Sequence, residues 1–477
     1  MRKLVECAVS VGRPAARPVR KSHGQAQRPP ALPTICDMGV MKSTPTPGFP
    51  LRTSLVRALL FTMIGGICAT PFAQAPAPAQ GQAPATGQAP SAPGQGEAFR
   101  PAIATPLQAA EQAIRGKKFD DALARIRDAE AVPDRTPSEN LAIERMRAIA
   151  ASGAGDVATA TRSFEIVINS GKVTPADHAR MVQVVAQLYF QGKDYPKAAT
   201  WAARSINESG PNPDMLWLMV RAQYLAGDCA SAARELRGMV EAEAKASTPP
   251  GQERLQMLAT CSTKLGDDAG YTYAQDKFLT YYPSKELWAD AIRRVESKRG
   301  FPDRLRLDVL RLRRATGTFE GTNAYSAMTQ LAMTAALPAE AKKVSDEGFS
   351  SGALGAGADA DAHKKLRDAA AKAVADDEKQ LPQSAKTGAA AKEGTTLVNV
   401  GLAYVMMGQY DTGIPLMEQG VAKGGLRQPD DAKLHLGIAY LAAGQKAKAV
   451  QAFKEVGGTD GAADLARLWL IQAQRPA

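Results

Sequence analysis

Two stretches near the C-terminus repeat one another at a fixed offset, and that limits what the chain can fold into more than any other feature. "LVNVGLAYVMMGQYDTGIPLMEQG" (397–420) aligns with "LHLGIAYLAAGQKAKAVQAFKEVG" (434–457). Gly401 pairs with Gly437, Tyr404 with Tyr440 and Gly408 with Gly444, each 36 residues apart. The same layout recurs in "QLYFQGKDYPKAATWAARSI" (187–206) and "QYLAGDCASAARELRGMV" (223–240). It recurs again in "TKLGDDAGYTYAQDKFLTYYP" (263–283) and "AALPAEAKKVSDEGF" (335–349). Each is an apolar helix closed by an aromatic or Leu, a Gly or Pro turn, and a second helix with Ala near its start. Apolar residues return at helical spacing throughout, and no segment alternates as a strand does. One such hairpin cannot bury its apolar face alone, so the units must stack.

On these residues the chain resembles tetratricopeptide repeat (TPR) arrays, whose period is near 34 residues. The resemblance is clear over 394–456 and 176–240 and degenerate over 105–170 and 250–350. It implies an all-α superhelical solenoid of stacked antiparallel hairpins. Gly437 and Ala439 would let the second helix approach closely, while Tyr440 and Phe453 fill the space toward the next repeat and Ala449 packs with them. Gly401 and Tyr404 would do the same one unit earlier. The stretch 461–474 reads as a terminal helix covering the last repeat.

The rest of the chain divides by composition. Residues 1–75 hold ten Lys and Arg against two acids, so +8 of the formal +11 lies there and +3 is left for the remainder. A basic partner-seeking surface such as a nucleic-acid interface is therefore not implied, and none is expected. Within 41–75, Arg52 and Arg57 precede an apolar run over 58–69 and an A-x-A arrangement at Ala73 and Ala75. That is the order of a secretory signal peptide, with cleavage within 69–75. The apolar run is too short to span a bilayer, which takes about 20 residues. Ile67 before Cys68 argues against a lipoprotein. Residues 1–40 read as a mis-called extension upstream of Met38 or Met41. Residues 76–104, rich in Pro, Ala, Gln and Gly, read as a flexible tether. An N-terminal array is expected over 105–351. A charged, Ala-rich helical connector broken at Pro382 follows over 352–393. A C-terminal repeat pair with its capping helix occupies 394–477.

Catalytic signals are sparse. "GFSSG" (348–352) matches the G-x-S-x-G pattern with Ser350 as nucleophile, but that elbow needs a strand before it, and here a helical run precedes. A serine hydrolase using Ser350 is the enzymatic alternative; a helix end with glycine breakers is the plainer reading. His23, His178, His363 and His435 lie in separate segments without a metal-ligand spacing. No phosphate-cradling glycine loop is present. No cofactor and no metal are expected, and the chain reads as a non-enzyme. "DRLRLDVLRLRR" (303–314) reads as a helix with Leu305, Val309 and Leu312 inward and its arginines in water, with a phosphate- or lipid-binding face as the alternative. Cys229 and Cys261 sit at the start of one helix and late in the next, where antiparallel packing would bring them together. They are either a disulfide or two separately buried small residues.

In TPR proteins the first helix of each hairpin lines the concave groove. Counting back from Gly192 and Gly227 places Val182, Tyr189, Phe190, Trp217, Arg221 and Tyr224 on it. Aromatics with Arg are the residue types enriched at binding hot spots. The basic and Asn clamp of chaperone-tail adaptors has no counterpart, because Val398, Leu402, Leu434 and Ile438 stand at its positions. The expected function is a periplasmic protein-binding scaffold of a Gram-negative envelope. "LYFQGKDYPKAATWA", "KLGDDAGYTYAQDKFLTYYPSKELW" and "KGGLRQPDDAKLHLGIAY" are similar to envelope TPR proteins associated with TonB–ExbB–ExbD systems. A TPR module of envelope assembly or polysaccharide export is the other reading.

Overall fold

A computed structural model describes residues 99–475. The signal segment and most of the tether lie outside these residues. Twenty α-helices follow one another, with no strand among the described residues. The first ten form five hairpins: α1 (Pro101–Arg115) with α2 (Phe119–Glu130), α3 (Pro137–Ala154) with α4 (Val157–Asn169), α5 (Pro175–Gln191) with α6 (Tyr195–Ser209), α7 (Pro213–Ala226) with α8 (Cys229–Lys245), and α9 (Gln252–Leu265) with α10 (Asp268–Tyr281).

Local chemistry sets these boundaries. Four first helices open on a proline, at Pro101, Pro137, Pro175 and Pro213, where the missing N–H costs nothing and φ is already helical. The preceding Thr136, Thr174 and Asn212 accept hydrogen bonds from the first-turn amides, and Thr136 with Glu139 completes a capping box. First helices end at glycines, and Gly155, Gly227 and Gly266 adopt the left-handed conformation. Asp156, Asp194, Asp228 and Asp267 then cap the second helices through their side-chain oxygens. Glycine followed by a capping aspartate is thus the turn that folds the chain back on itself.

The tether ends sooner than its composition predicts. Residues 101–104 belong to α1, and Ile103 is fully buried. Pro101 starts the helix, and Ile103 and Leu107 supply the apolar face that composition alone did not reveal.

Beyond α10 come α11 (Lys285–Glu296), a short 3-10 turn (Asp303–Leu305), α12 (Arg306–Ala315), and the hairpin α13 (Thr322–Thr334) with α14 (Pro338–Ser350). The connector is one 31-residue helix, α15 (Ala360–Ala390), which continues through Pro382 where the sequence predicts a break. A proline there removes one hydrogen bond and costs about 3 kcal/mol. The alanines on either side and the packing of Ala370, Leu381 and Gly388 hold the helix together across it. The C-terminal hairpins are α16 (Thr395–Met406) with α17 (Tyr410–Lys423) and α18 (Pro429–Ala442) with α19 (Lys446–Lys454), followed by α20 (Ala462–Gln474).

The repeated small residues pack as their pattern implies. A Cβ at Gly437 would lie 2.4 Å from the Phe453 ring, which is almost fully buried over it. Ala449 is fully buried, and the Tyr440 hydroxyl donates to Glu418 at 2.6 Å. Tyr404 packs half-buried at the edge of the same core. Gly401 meets the backbone of α17 at Gly413, and Gly420 meets Gly394. Phe453 stacks on Trp469 of α20 with centroids 6.1 Å apart, so the terminal helix does cover the last repeat.

It also does something the repeats do not announce. α20 packs against α10, α11 and α12, closing the C-terminal half on itself. Arg467 pairs with Asp276, Lys298 with Asp464 at 2.7 Å, and Gln472 donates to the Ala315 carbonyl at 3.0 Å. The Phe301 ring packs on Gly461. A single hydrophobic core accordingly runs from Leu279 to Ala473, across the connector. Among the described residues, no helix is long and apolar enough to cross a membrane.

Candidate protein-binding site

Phe190, Trp217, Arg221 and Tyr224 lie on the first helices α5 and α7, half-buried, with the rings packed at the edge of the core. The Arg221 guanidinium lies over two rings, 5.3 Å from the Phe190 centroid and 5.9 Å from that of Trp217. Arg254, at the start of α9, covers Trp217 from the next repeat at 5.0 Å. Lys264 of α9 stands 5.9 Å from the Tyr224 ring. Rings and cations therefore alternate across three consecutive first helices. Each such contact is worth about 0.5–1 kcal/mol at an exposed site, enough to hold the side chains in place but not to saturate them. Arg221 has Glu253 3.7 Å away, and Arg254 pairs with Glu243. Burial lowers the pKa of Arg254.

Two of the six residues assigned to the groove belong elsewhere. Val182 is fully buried and Tyr189 nearly so, both in the core shared with α4. The Tyr189 hydroxyl donates to Glu165 of α4 at 2.5 Å, and burial together with that carboxylate pushes its phenol up to about 12. Residues 182 and 189 are two turns apart, so they share one stripe, and that stripe faces the preceding hairpin. Phe190, one residue on, is turned roughly 100° from it. Arg254 was not anticipated. It contributes by stacking on a ring of the previous repeat, a contact between helices that has no signature within one repeat.

Cys229, the first residue of α8, and Cys261, late in α9, are both buried, with their sulfurs 2.8 Å apart as two thiols. Antiparallel packing does bring them together. Burial first, then the neighbouring Cys229, pushes the Cys261 thiol up to about 12.

The arginine run is a wet face at Arg304 and Arg306 but not at Arg311. Leu305, Val309 and Leu312 point inward as predicted, but Arg311 is buried with them. It pairs with Asp308 at 2.6 Å and with Glu340 of α14 through two bonds of 2.8 and 2.6 Å. His435 of α18 completes the cluster, its Nε2 3.0 Å from Asp308. Burial opposes ionisation of Asp308, but His435 and Arg311 beside it more than offset that and hold its carboxyl at about 2. Arg304 binds Asp431 and Asp460, Arg313 binds Glu296 and Arg314 binds Glu347. These pairs consume the guanidinium groups that a phosphate-binding face would need.

Ser350 is the last residue of α14, and its hydroxyl donates to the Asp346 carbonyl at 2.8 Å. It sits on no strand-to-helix elbow. His178 bonds Glu208 and His363 lies by the Gly355 amide, far apart in sequence from His435. No cluster among the described residues could hold a metal ion. Val398, Leu402, Leu434 and Ile438 are buried in the core rather than lining an open groove.

No family model matches the chain, and no curated protein matches it. Solved structures do. The APC/C hetero-tetramer Cut9-Hcn1 aligns with 69% of this chain at 13% identity and a TM-score of 0.20; the chain spans 66% of that structure's chain, just under two thirds. Yeast Tom70 aligns with 78% of this chain and 95% of its own at 11% identity and a TM-score of 0.18. The succession of antiparallel hairpins with glycine crossings makes this chain an all-α helical repeat protein.

Proposed function

We propose that the chain is a non-catalytic scaffold that binds a protein partner through the first-helix face built by Phe190, Trp217, Arg221, Tyr224 and Arg254. The observation that carries this is the ring-and-cation ladder, which spans three repeats and whose rings are only half-buried. Tyr, Trp and Arg carry most of the energy where proteins meet, because they bury large rigid surfaces and keep donors at their edges. The setting we propose is the periplasm of a Gram-negative envelope, as an accessory of a TonB-type system. This rests on the signal-like order of 52–75 and the sequence likeness quoted above.

Site-specific photo-crosslinking in the native envelope tests the reading. A photoreactive residue at Trp217 or Tyr224 should give one discrete adduct. The same probe at Ala230, exposed on the second helix α8, should give none. Equal crosslinking from both faces would sink the assignment. Recovery of the chain with its amino-terminal segment uncleaved, in a cytoplasmic fraction, would sink the compartment alone.

A further inference from the structure

Closure of the C-terminal half encloses space. A cavity of about 610 Å3 lies between α12, α13, α16 and α18, and another of about 570 Å3 opens on the opposite side. Arg311 lines both, so its ion-paired cluster with Asp308, Glu340 and His435 forms the partition between them. The larger cavity is walled by Leu307, Leu331, Val398, Leu402 and Leu426. That volume and lining are those of a small-molecule site, apolar with a few placed polar groups.

The polar groups select a charge. Each carboxylate on the lining already has a cation: Asp308 has Arg311 and His435, Asp431 has Arg304, and Asp303 has Arg306 at 3.0 Å. A cationic ligand would find no uncommitted acid. Arg427 also lines the cavity, is exposed, and pairs with no carboxylate among the described residues. Asn399, also exposed, puts an amide on the same lining. The Thr395 hydroxyl oxygen is buried at the lining with no hydrogen-bond partner, a cost of about 1–3 kcal/mol unless something bonds it. Thr395 also begins α16, whose N-terminus has no side-chain cap.

We propose that this cavity binds an amphiphile with an anionic head, the head held by Arg427, Asn399 and Thr395 and the apolar body lying along Leu307, Val398 and Leu402. The site is separate from the aromatic face on α5 and α7, and either can fail without the other.

The test is isothermal titration of the full exported chain with sodium dodecanoate below its micelle concentration. One saturable site is expected. Arg427→Ala should weaken it tenfold or more, Arg237→Ala on the distant α8 should leave it within twofold, and 1-decanol should compete poorly. Leu402→Trp should fill the cavity and abolish binding; should that variant misfold, Arg427→Ala at an exposed position still decides. Absence of binding, full affinity in Arg427→Ala, or equal competition by the uncharged alcohol would each overturn the proposal.

Discussion

Gly401 and Gly238 are both glycines inside helices, and replacing each with alanine should move stability in opposite directions. An exposed mid-helix Gly→Ala change ordinarily stabilises by about 1 kcal/mol, because glycine loses the most backbone freedom on folding. At Gly238 of α8 an added Cβ would meet nothing within 4 Å, so that gain should appear in full. At Gly401 the new carbon would sit 2.6 Å from the Gly413 carbonyl oxygen and 2.8 Å from the Met417 amide nitrogen. Ordinary contact begins near 3.4 Å, and these are backbone atoms that no rotamer change can move. The hairpin must open by several tenths of an ångström, and overpacking of this kind costs about 1–3 kcal/mol. The balance for Gly401→Ala is a loss of up to about 2 kcal/mol. Urea unfolding followed by tryptophan fluorescence reads both, since Trp288 and Trp469 report the closed half and Trp201 and Trp217 the open half. If Gly401→Ala stabilises as much as Gly238→Ala, α16 and α17 do not cross as closely as described.

Other outcomes follow from the buried groups. The carboxyl of Asp308 sits below the unfolded value of about 4, so the stability it contributes is complete above that pH and is lost as pH falls toward 2. Asp308→Asn should flatten acid unfolding in that window by about 2 kcal/mol, and an unchanged pH profile would refute the role of the cluster. Cys229 and Cys261 should be found joined in non-reducing mass mapping of protein from an oxidising compartment, and free thiols at both would exclude the bond. In reduced protein Cys261 should alkylate at least ~100-fold more slowly than an exposed thiol at pH 8, because little thiolate forms. Phe453→Ala should cost about 3–5 kcal/mol in the closed half, measured by calorimetry, since it empties the space between Gly437 and Trp469.

Much of the architecture was legible because hairpin packing leaves a periodic mark: a small residue at Gly401 and Gly437, a ring three residues on. The punctuation was legible too, in Thr136-Pro137, Thr174-Pro175 and the glycine–aspartate turns. What stayed hidden were contacts between distant parts of the chain. Arg304 meets Asp431 across 127 residues and Arg467 meets Asp276 across 191, and no periodicity encodes such pairs. For the same reason Arg311 read as a solvated side chain until α14 and α18 supplied Glu340 and His435. At the aromatic face four of the six residues lie half-buried on first helices, while Val182 and Tyr189 fall in the core. Tyr189 and Phe190 are neighbours in sequence, yet one is bonded into the preceding hairpin and the other lies open beneath Arg221.

The docking of α20 onto α10, α11 and α12 has a consequence in time. Stacked hairpins can settle one after another as a chain is made, each needing only its predecessor. The half from 268 onward is different: Asp276, Lys298 and Ala315 wait for partners in the final fifteen residues. A chain delivered amino end first will therefore finish its aromatic face long before its closed half, and that half will stand open until the last helix arrives.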